Sequence, residues 1–232
     1  MKKLFSFVAV ALMMGGCSQF EEFDAAPSST VDAPAIIEAS FERPQTESRT
    51  FVDNENTIHW TADDQISYFP GVNFNVQYRF KGATGDTGGS FEKLMLDPVT
   101  GIELERNYAI YPFNEATSID GKGTISAILP TTQTYAENSF GLGANLMVAA
   151  TKDRDDTALR FKNACGYLEL QLYGNNAKVK SITFKGNKDE KIAGKATITA
   201  LYNEDPKLSM TEESTTSVTL DCSAGGGNFA EC

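Results

Sequence analysis

Five apolar residues set strictly every second position constrain this chain more than any other feature. Val72, Phe74, Val76, Tyr78 and Phe80 alternate with Asn73, Asn75, Gln77, Arg79 and Lys81. In a strand successive side chains point to opposite faces, so this period of two gives one dry face and one wet face; a helix would scatter the same residues around its axis. Shorter runs repeat the pattern. Ile37, Ala39 and Phe41 alternate with Glu38, Ser40 and Glu42, Ala196, Ile198 and Ala200 alternate, and so do Val218, Leu220 and Cys222. Further apolar segments occupy 66–69, 91–96, 108–113, 124–129, 146–150, 159–161, 167–173 and 179–184. Between them lie turn-forming clusters: Asp53-Asn54-Glu55-Asn56, Pro70-Gly71, the glycine-rich 82–89, Asp120-Gly121-Lys122-Gly123, 152–156 and Gly174-Asn175-Asn176. Helical stripes are nearly absent. The expectation is an all-β chain, most simply built as β-sandwiches. Arg49–Phe51 and Thr57–Trp60 read as the two arms of a hairpin.

The N-terminus has a different grammar. Lys2 and Lys3 precede one apolar run, Leu4 to Met14, which is too short to span a bilayer as a permanent helix. Gly15, Gly16 and Cys17 follow. Basic, apolar and small residues in that order form a secretory signal, excluded from fold reasoning. The cysteine directly after two glycines resembles the lipobox of bacterial lipoproteins. That resemblance implies cleavage between Gly16 and Cys17, acylation of Cys17, and anchoring by two or three acyl chains, each buried methylene contributing roughly 0.8 kcal/mol. The plainer alternative is a generic signal peptide with a chance cysteine. Residues 18–34 are polar, acidic and rich in Pro, Ser and Ala, as suits a spacer. Glu21-Glu22 resembles the surface-export signal of lipoproteins in Bacteroidetes-type bacteria, or is simply part of a solvated linker.

Charge and cysteine usage exclude several functions. The net charge is -11, and loss of Lys2 and Lys3 takes the mature chain near -13. Such a surface repels phosphate backbones, which argues against nucleic acid as a partner. The cysteines are Cys17, Cys165, Cys222 and Cys232, with no paired Cys spacing, and His59 is the only histidine. The usual zinc sites are therefore not expected. Cys165 and Cys222 are either a disulfide or two core thiols; with Cys17 acylated, at least one thiol is unpaired in a monomer.

No catalytic set emerges. One histidine on a strand end gives no Ser-His-Asp arrangement. Asp63-Asp64 and Asp153 to Asp156 lack calcium-loop spacing, and Asp64 reads as a turn-capping carboxylate. Residues 85–89 lack the Lys-Ser/Thr of a phosphate loop. No enzyme activity, cofactor or metal is expected. Asp156-Thr157-Ala158 resembles an O-glycan acceptor of Bacteroidetes, with Thr157 the modified residue.

A broader resemblance rests on residues in sequence order: Arg49-Thr50; Trp60 with Asp64 and Ile66-Ser67; Tyr108-Ala109-Ile110-Tyr111-Pro112-Phe113; Leu129-Pro130 with Gln133; Met147-Val148-Ala149; Leu159-Arg160-Phe161-Lys162-Asn163; Gly166-Tyr167-Leu168; then Ile182 and Ala193-Gly194. Spanning about 36–222, these resemble the fimbrillin-like surface lipoproteins of Bacteroides and Porphyromonas relatives. The resemblance implies two tandem transthyretin-like Greek-key β-sandwich domains: a signal peptide over 1–16, an acidic tether over 17–35, one domain over 36–165, and a second over 166–232. The second has too few strands for a self-sufficient sandwich and reads as truncated, with an exposed edge or a half-filled core. The resemblance also implies a non-enzymatic fimbrial or pilus subunit at the outer-membrane surface. It would be lipid-anchored or released into fimbriae, and adhesive toward host or bacterial surface ligands. Assembly with other subunits would use strand exchange, in which main-chain hydrogen bonds give affinity and alternate side chains fill pockets. The first strand, Ile36 to Glu42, would leave after proteolysis, with Arg49 as the processing residue; the plainer reading of Arg49 is a strand-end arginine. The alternative function is a surface glycan-binding lipoprotein using Trp60, Tyr68 or Tyr78 as an exposed sugar platform.

Overall fold

A computed structural model of the chain describes residues 29–31, 33–42, 58–95, 99–136, 140–168, 170, 172, 177–223 and 228–229. Gly16, Cys17, Arg49, the acidic tether before Ser29 and most of the hairpin expected across 49–60 lie outside the described residues. Every regular element among the described residues is a strand. In chain order the first six are β1 (Ser29–Val31), β2 (Ile36–Phe41), β3 (Gln65–Val72), β4 (Val76–Phe80), β5 (Gly88–Lys93) and β6 (Val99–Tyr111). The next five are β7 (Ser118–Ile119), β8 (Thr124–Leu129), β9 (Thr132–Thr134), β10 (Met147–Ala150) and β11 (Ala158–Asn163). The last six are β12 (Ala177–Lys178), β13 (Ser181–Lys185), β14 (Gly194–Thr199), β15 (Lys207–Met210), β16 (Ser217–Asp221) and β17 (Asn228–Phe229).

Seven strands close on themselves in the order β6-β10-β11-β2-β5-β4-β3, with β3 returning to β6. Closure removes the unpaired edges that an open sheet would expose. Parity then dictates one feature. Around a ring, the antiparallel junctions must be even in number, so seven strands cannot all be antiparallel neighbours. Six junctions are antiparallel, and the parallel one joins β2 to β11, with Glu38 opposite Ala158 and Phe41 opposite Phe161. β1 extends the wall, pairing with the start of β6 (Ser29 opposite Gly101) on the edge whose far end takes β10.

The interior of so small a ring has room only for side chains. Trp60, Tyr68, Phe74, Tyr78, Phe80, Phe91 and Phe161 fill it with Ile37, Ile66, Met147 and Leu159, all buried. A second core lies on the outside of β3, β6 and β10. There Phe69, Tyr108, Ile110 and Val148 meet Ile119, Ile125, Leu129, Ile198 and Ala200 from a four-stranded sheet ordered β15-β14-β8-β7. Strands covered on both faces lose the one-sided alternation, which is why β3 and β10 read as apolar runs.

The long alternating run is not one strand. Burial does alternate from Phe74 to Phe80, but the chain turns at Asn73, which has φ 66°, so β3 ends at Val72 and β4 starts at Val76. The turn comes later than Pro70-Gly71 suggests; that pair sits inside β3, where the β3–β6 register shifts between Phe69 and Gly71. Phe74 lies on two glycines: a Cβ at Gly101 would come 2.3 Å from its ring, and one at Gly71 2.8 Å. The Asn75 amide then donates to the Asn114 and Thr117 carbonyls at 2.8 and 3.0 Å. A tight reversal with φ > 0 suits Asn, which tolerates that conformation.

The Asp120 turn takes the expected form. Asp120 Oδ1 accepts the Lys122 and Thr124 amides, both at 2.8 Å, and Gly123 takes φ 80°. Strand pairing crosses position 166: β8 pairs with β14 along six residues, and β9 runs parallel to β16. The described residues of 167–173 are not strand, and Leu168 and Leu170 are exposed. In the three-stranded sheet β13-β16-β9, β13 has one neighbour and shows Phe184 to solvent.

Candidate functional site

Two features stand out, and they share Trp60. The first is β2. Its pattern is that of a half-buried strand, with Ile37 and Ala39 buried while Ile36, Glu38 and Ser40 face out. It hydrogen-bonds to β5 on one side through Ile36–Ser40 and to β11 on the other. Parallel pairing is slightly less stable per residue than antiparallel pairing, so the β2–β11 seam is the weaker junction. Phe41, at the end of β2, stacks on Trp60 with centroids 4.5 Å apart and planes at 24°.

The second feature is the chamber beside Trp60. The segment before β3 is not a strand, so His59 and Trp60 sit on an irregular stretch rather than a hairpin arm. Two backbone bonds hold it: the Trp60 amide donates to Asp86 O at 2.8 Å, and the Gly85 amide donates to Trp60 O at 2.9 Å. His59 Nδ1 lies 2.7 Å from Gly85 O. Phe91, Tyr111 and Phe161 present their rings edge-on to the indole at 5.1–5.5 Å. The indole is 1% exposed, and its Nε1 has no hydrogen-bond partner among the described residues. A buried N–H without an acceptor costs its desolvation, about 1–3 kcal/mol, so such groups need an explanation.

Asp64 caps the turn, as its position implied. Its Oδ2 accepts the Thr61 amide at 2.8 Å while its own amide donates to Thr61 O at 3.0 Å. Asp63, beside it, takes φ 67° and faces Arg79 at 3.8 Å. The Tyr111 hydroxyl donates to Asp64 Oδ1 at 3.1 Å. Burial raises the Asp64 pKa, opposed by the Thr61 and Tyr111 bonds. Tyr111 is likewise raised, by burial first and then by the Asp64 charge. Thr61, Asp64 and Tyr111, with Thr84, Phe140, Gly141, Gly143, Asn145 and Met147, line a partly open pocket of about 300 Å³. Asn145 accepts the Tyr167 hydroxyl through Oδ1, and Phe140 packs on the Tyr167 ring.

The remaining sequence-derived residues are dispersed. Thr157 is exposed immediately before β11, next to Asp156, whose Oδ1 caps the Ala158 amide at 3.0 Å. Cys165 is half-buried beside the second core and Cys222 is buried. Both are free thiols, not a disulfide, and burial pushes the Cys165 thiol up to about 11. One expectation is corrected. Trp60, Tyr68 and Tyr78 are no more than 1% exposed, so they form no exposed sugar platform. Their rings are the bulk that fills the small barrel.

The parts played by Phe41, Tyr111, Phe140 and Asn145 were not visible in the sequence, because nothing local ties them to Trp60. No family model, curated protein or solved structure matches the chain. The class defined by fold is therefore stated on its own geometry: an all-β protein with a closed seven-stranded, barrel-like sheet and a further sheet packed on its wall.

Proposed function

We propose that this chain is a non-enzymatic, lipid-anchored surface protein of fimbrial type, assembling by exchange of strand β2 and serving adhesion. The observation that carries the reading is β2: a short strand with an alternating buried face that closes the ring through its only parallel seam. β2 is joined to the rest of the ring by the segment containing Arg49. A cut after Arg49 would release β1 and β2 together with Cys17, leaving six antiparallel strands with a groove between β5 and β11. An extended segment of a neighbouring subunit would refill that groove by β-augmentation. In this reading the ring is a closed variant of the first transthyretin-like domain, and residues 166–232 belong to an incomplete second one whose sheets also take β7, β8 and β9 from before position 166. The edge strand β13 and the exposed Phe184, Leu168 and Leu170 support that incompleteness. Cys17 holds the protein in the outer membrane until processing.

The test is limited trypsin-like proteolysis of the mature chain. Cleavage after Arg49 should yield ladders on a denaturing gel run without boiling, while Arg49→Ala stays monomeric. A wild-type chain that is cut after Arg49 and remains a monomer sinks the assembly reading. Metabolic labelling with a palmitate analogue, abolished in Cys17→Ser, tests the anchor separately.

A further inference from the structure

We infer that the pocket lined by Asp64, Tyr111 and Phe140 is a binding site for one organic ammonium group carried on a short chain. Trp60, Asn145 and Met147 lie beneath the pocket surface, at most 5% exposed. They shape the pocket and are out of reach of an occupant. What an occupant meets is Ile58, His59, Thr61, Asp64, Tyr111 and Phe140, all exposed or half-buried. None of these belongs to β2, so the site stands apart from strand exchange.

Charge selects the ligand class. Glu42, Glu92 and Asp156 are half-buried carboxylates, and each has a cation beside it: Lys162 at 3.4 Å, Lys81 at 3.1 Å and Arg160 at 3.9 Å. Asp64 is half-buried too, yet among the described residues no Lys or Arg pairs with it. Arg79, which faces the neighbouring Asp63 at 3.8 Å, is engaged by Glu92. Asp86 and Asp221 also cap turns without a cation at that distance, but neither lines this pocket. Asp64 has acceptor capacity to spare. Its Oδ2 takes the Thr61 amide and its Oδ1 the Tyr111 hydroxyl, so each oxygen keeps a lone pair for an N–H. Burial already works against the Asp64 charge, and a cation placed there offsets that cost. Ile58, Tyr111 and Phe140 supply apolar and aromatic surface alongside, against which a cation and its alkyl stem can both lie.

Other classes match less well. An anion meets the Asp64 charge, and no Lys or Arg lines the pocket to receive it. A metal ion needs several ligands, and the described residues hold no group of three His, Cys, Asp or Glu side chains placed to supply them. An apolar occupant would strip water from Asp64 and give it nothing in return. A neutral alcohol can hydrogen-bond to Asp64 but leaves its charge unpaired. The net charge of -11 on the whole chain favours the approach of a cation as well.

Saturation-transfer NMR tests this with three probes of one size: n-butylammonium, 1-butanol and butyrate. The titrations are run at about pH 8, where an ordinary histidine is neutral and an alkylammonium is charged. The ammonium should bind saturably with a Kd on the order of millimolar, as suits so small a ligand. The alcohol and the anion should bind about tenfold more weakly or worse. Asp64→Asn, which keeps the shape and removes the charge, should weaken ammonium binding about tenfold or more. Phe140→Leu, which keeps an apolar wall and removes the aromatic face, should weaken it about two- to fivefold. Phe184→Ala, on the exposed strand β13, should leave it unchanged. Nα-acetyl-lysinamide and putrescine, used in place of butylammonium, distinguish a protein side chain from a free polyamine as the carrier of the charge. The inference is overturned if n-butylammonium gives no saturable signal, if 1-butanol binds as tightly, or if Asp64→Asn binds as the wild type does. The comparison of the three probes on the wild-type chain decides the matter even where Asp64→Asn fails to fold.

Discussion

The barrel and the β13–β16 pair use the same alphabet of alternating residues and reach opposite ends. In the barrel, every alternation ends in burial: Val76, Tyr78 and Phe80 on β4, Ile37 and Ala39 on β2, Leu159 and Phe161 on β11. On β13 the same kind of residues, Ile182 and Phe184, stay half-buried or exposed, and no residue of β16 is fully buried. Alternation dictates a strand with an apolar face; whether that face becomes a core depends on what lies opposite. Closure gives each barrel strand a neighbour on both sides and a filled interior. β14 has the wall of the barrel opposite it, so Ile198 is buried in the second core. Among the described residues β13 has one neighbouring strand and no such cover.

This contrast can be broken most directly by the same substitution in both regions. Phe91→Ala, at a fully buried ring packed on Trp60 and Phe80, should destabilise by about 3–5 kcal/mol. Phe184→Ala should change stability by less than about 0.5 kcal/mol. Urea unfolding followed by Trp60 emission measures both. A Phe91→Ala loss as small as that of Phe184→Ala would mean that the ring does not form as a packed unit.

Overpacking probes the barrel from the other side. Gly101→Ala places a Cβ 2.3 Å from the Phe74 ring and 2.6 Å from Val72 O. It should cost about 1–3 kcal/mol. Combining it with Phe74→Leu should recover part of that loss, since the two would then share one space. Strict additivity would show that the aromatic ring does not rest on Gly101.

The smallest effect belongs to the Asp120 turn, which feeds β8 into the joint between barrel and outer sheet. The Thr124 amide first, then that of Lys122, holds the Asp120 carboxyl below its usual 3.8. A depressed folded pKa contributes stability above the unfolded value, and that stability is lost as pH falls through the folded value. Asp120→Ala should cost about 0.5–1 kcal/mol at neutral pH, because the group is largely exposed to solvent. The gap between Asp120→Ala and wild type should close in acid below the folded pKa. A gap that is constant with pH would assign the effect to something other than the carboxylate.

Much of the fold was legible because it is local. The strands at β2, β8, β14 and β16, the Asp120 turn and the Asp64 cap follow from alternation and turn chemistry within a few residues. The nine-residue run misled because alternation survives a hairpin: side chains kept their in–out order from Phe74 to Phe80 while Asn73 reversed the chain. The described residues of 167–173 misled for the converse reason: Leu168 and Leu170 are exposed, and apolar residues without cover need not form a strand. Ring closure, the parallel seam and the chamber were beyond reach. Each depends on pairings such as Ala39 with Leu159 or Asp64 with Tyr111, which no spacing in the chain encodes.

One consequence of the parity of the ring concerns direction. Without β2 the six remaining strands alternate up and down, so β5 and β11, facing each other across the gap, run in opposite senses. Any seventh strand is then parallel to one and antiparallel to the other, whichever way it enters. Backbone hydrogen bonding would therefore favour neither polarity strongly, and under the proposed exchange the gap left by β2 would be ambivalent toward the heading of a replacing strand. What distinguishes the two ends of β2 is its side chains: Ile37 and Ala39 are buried, and Phe41 stacks on Trp60 at one end of the gap. A foreign strand running the opposite way would need the mirror of that order, with its large ring leading rather than trailing.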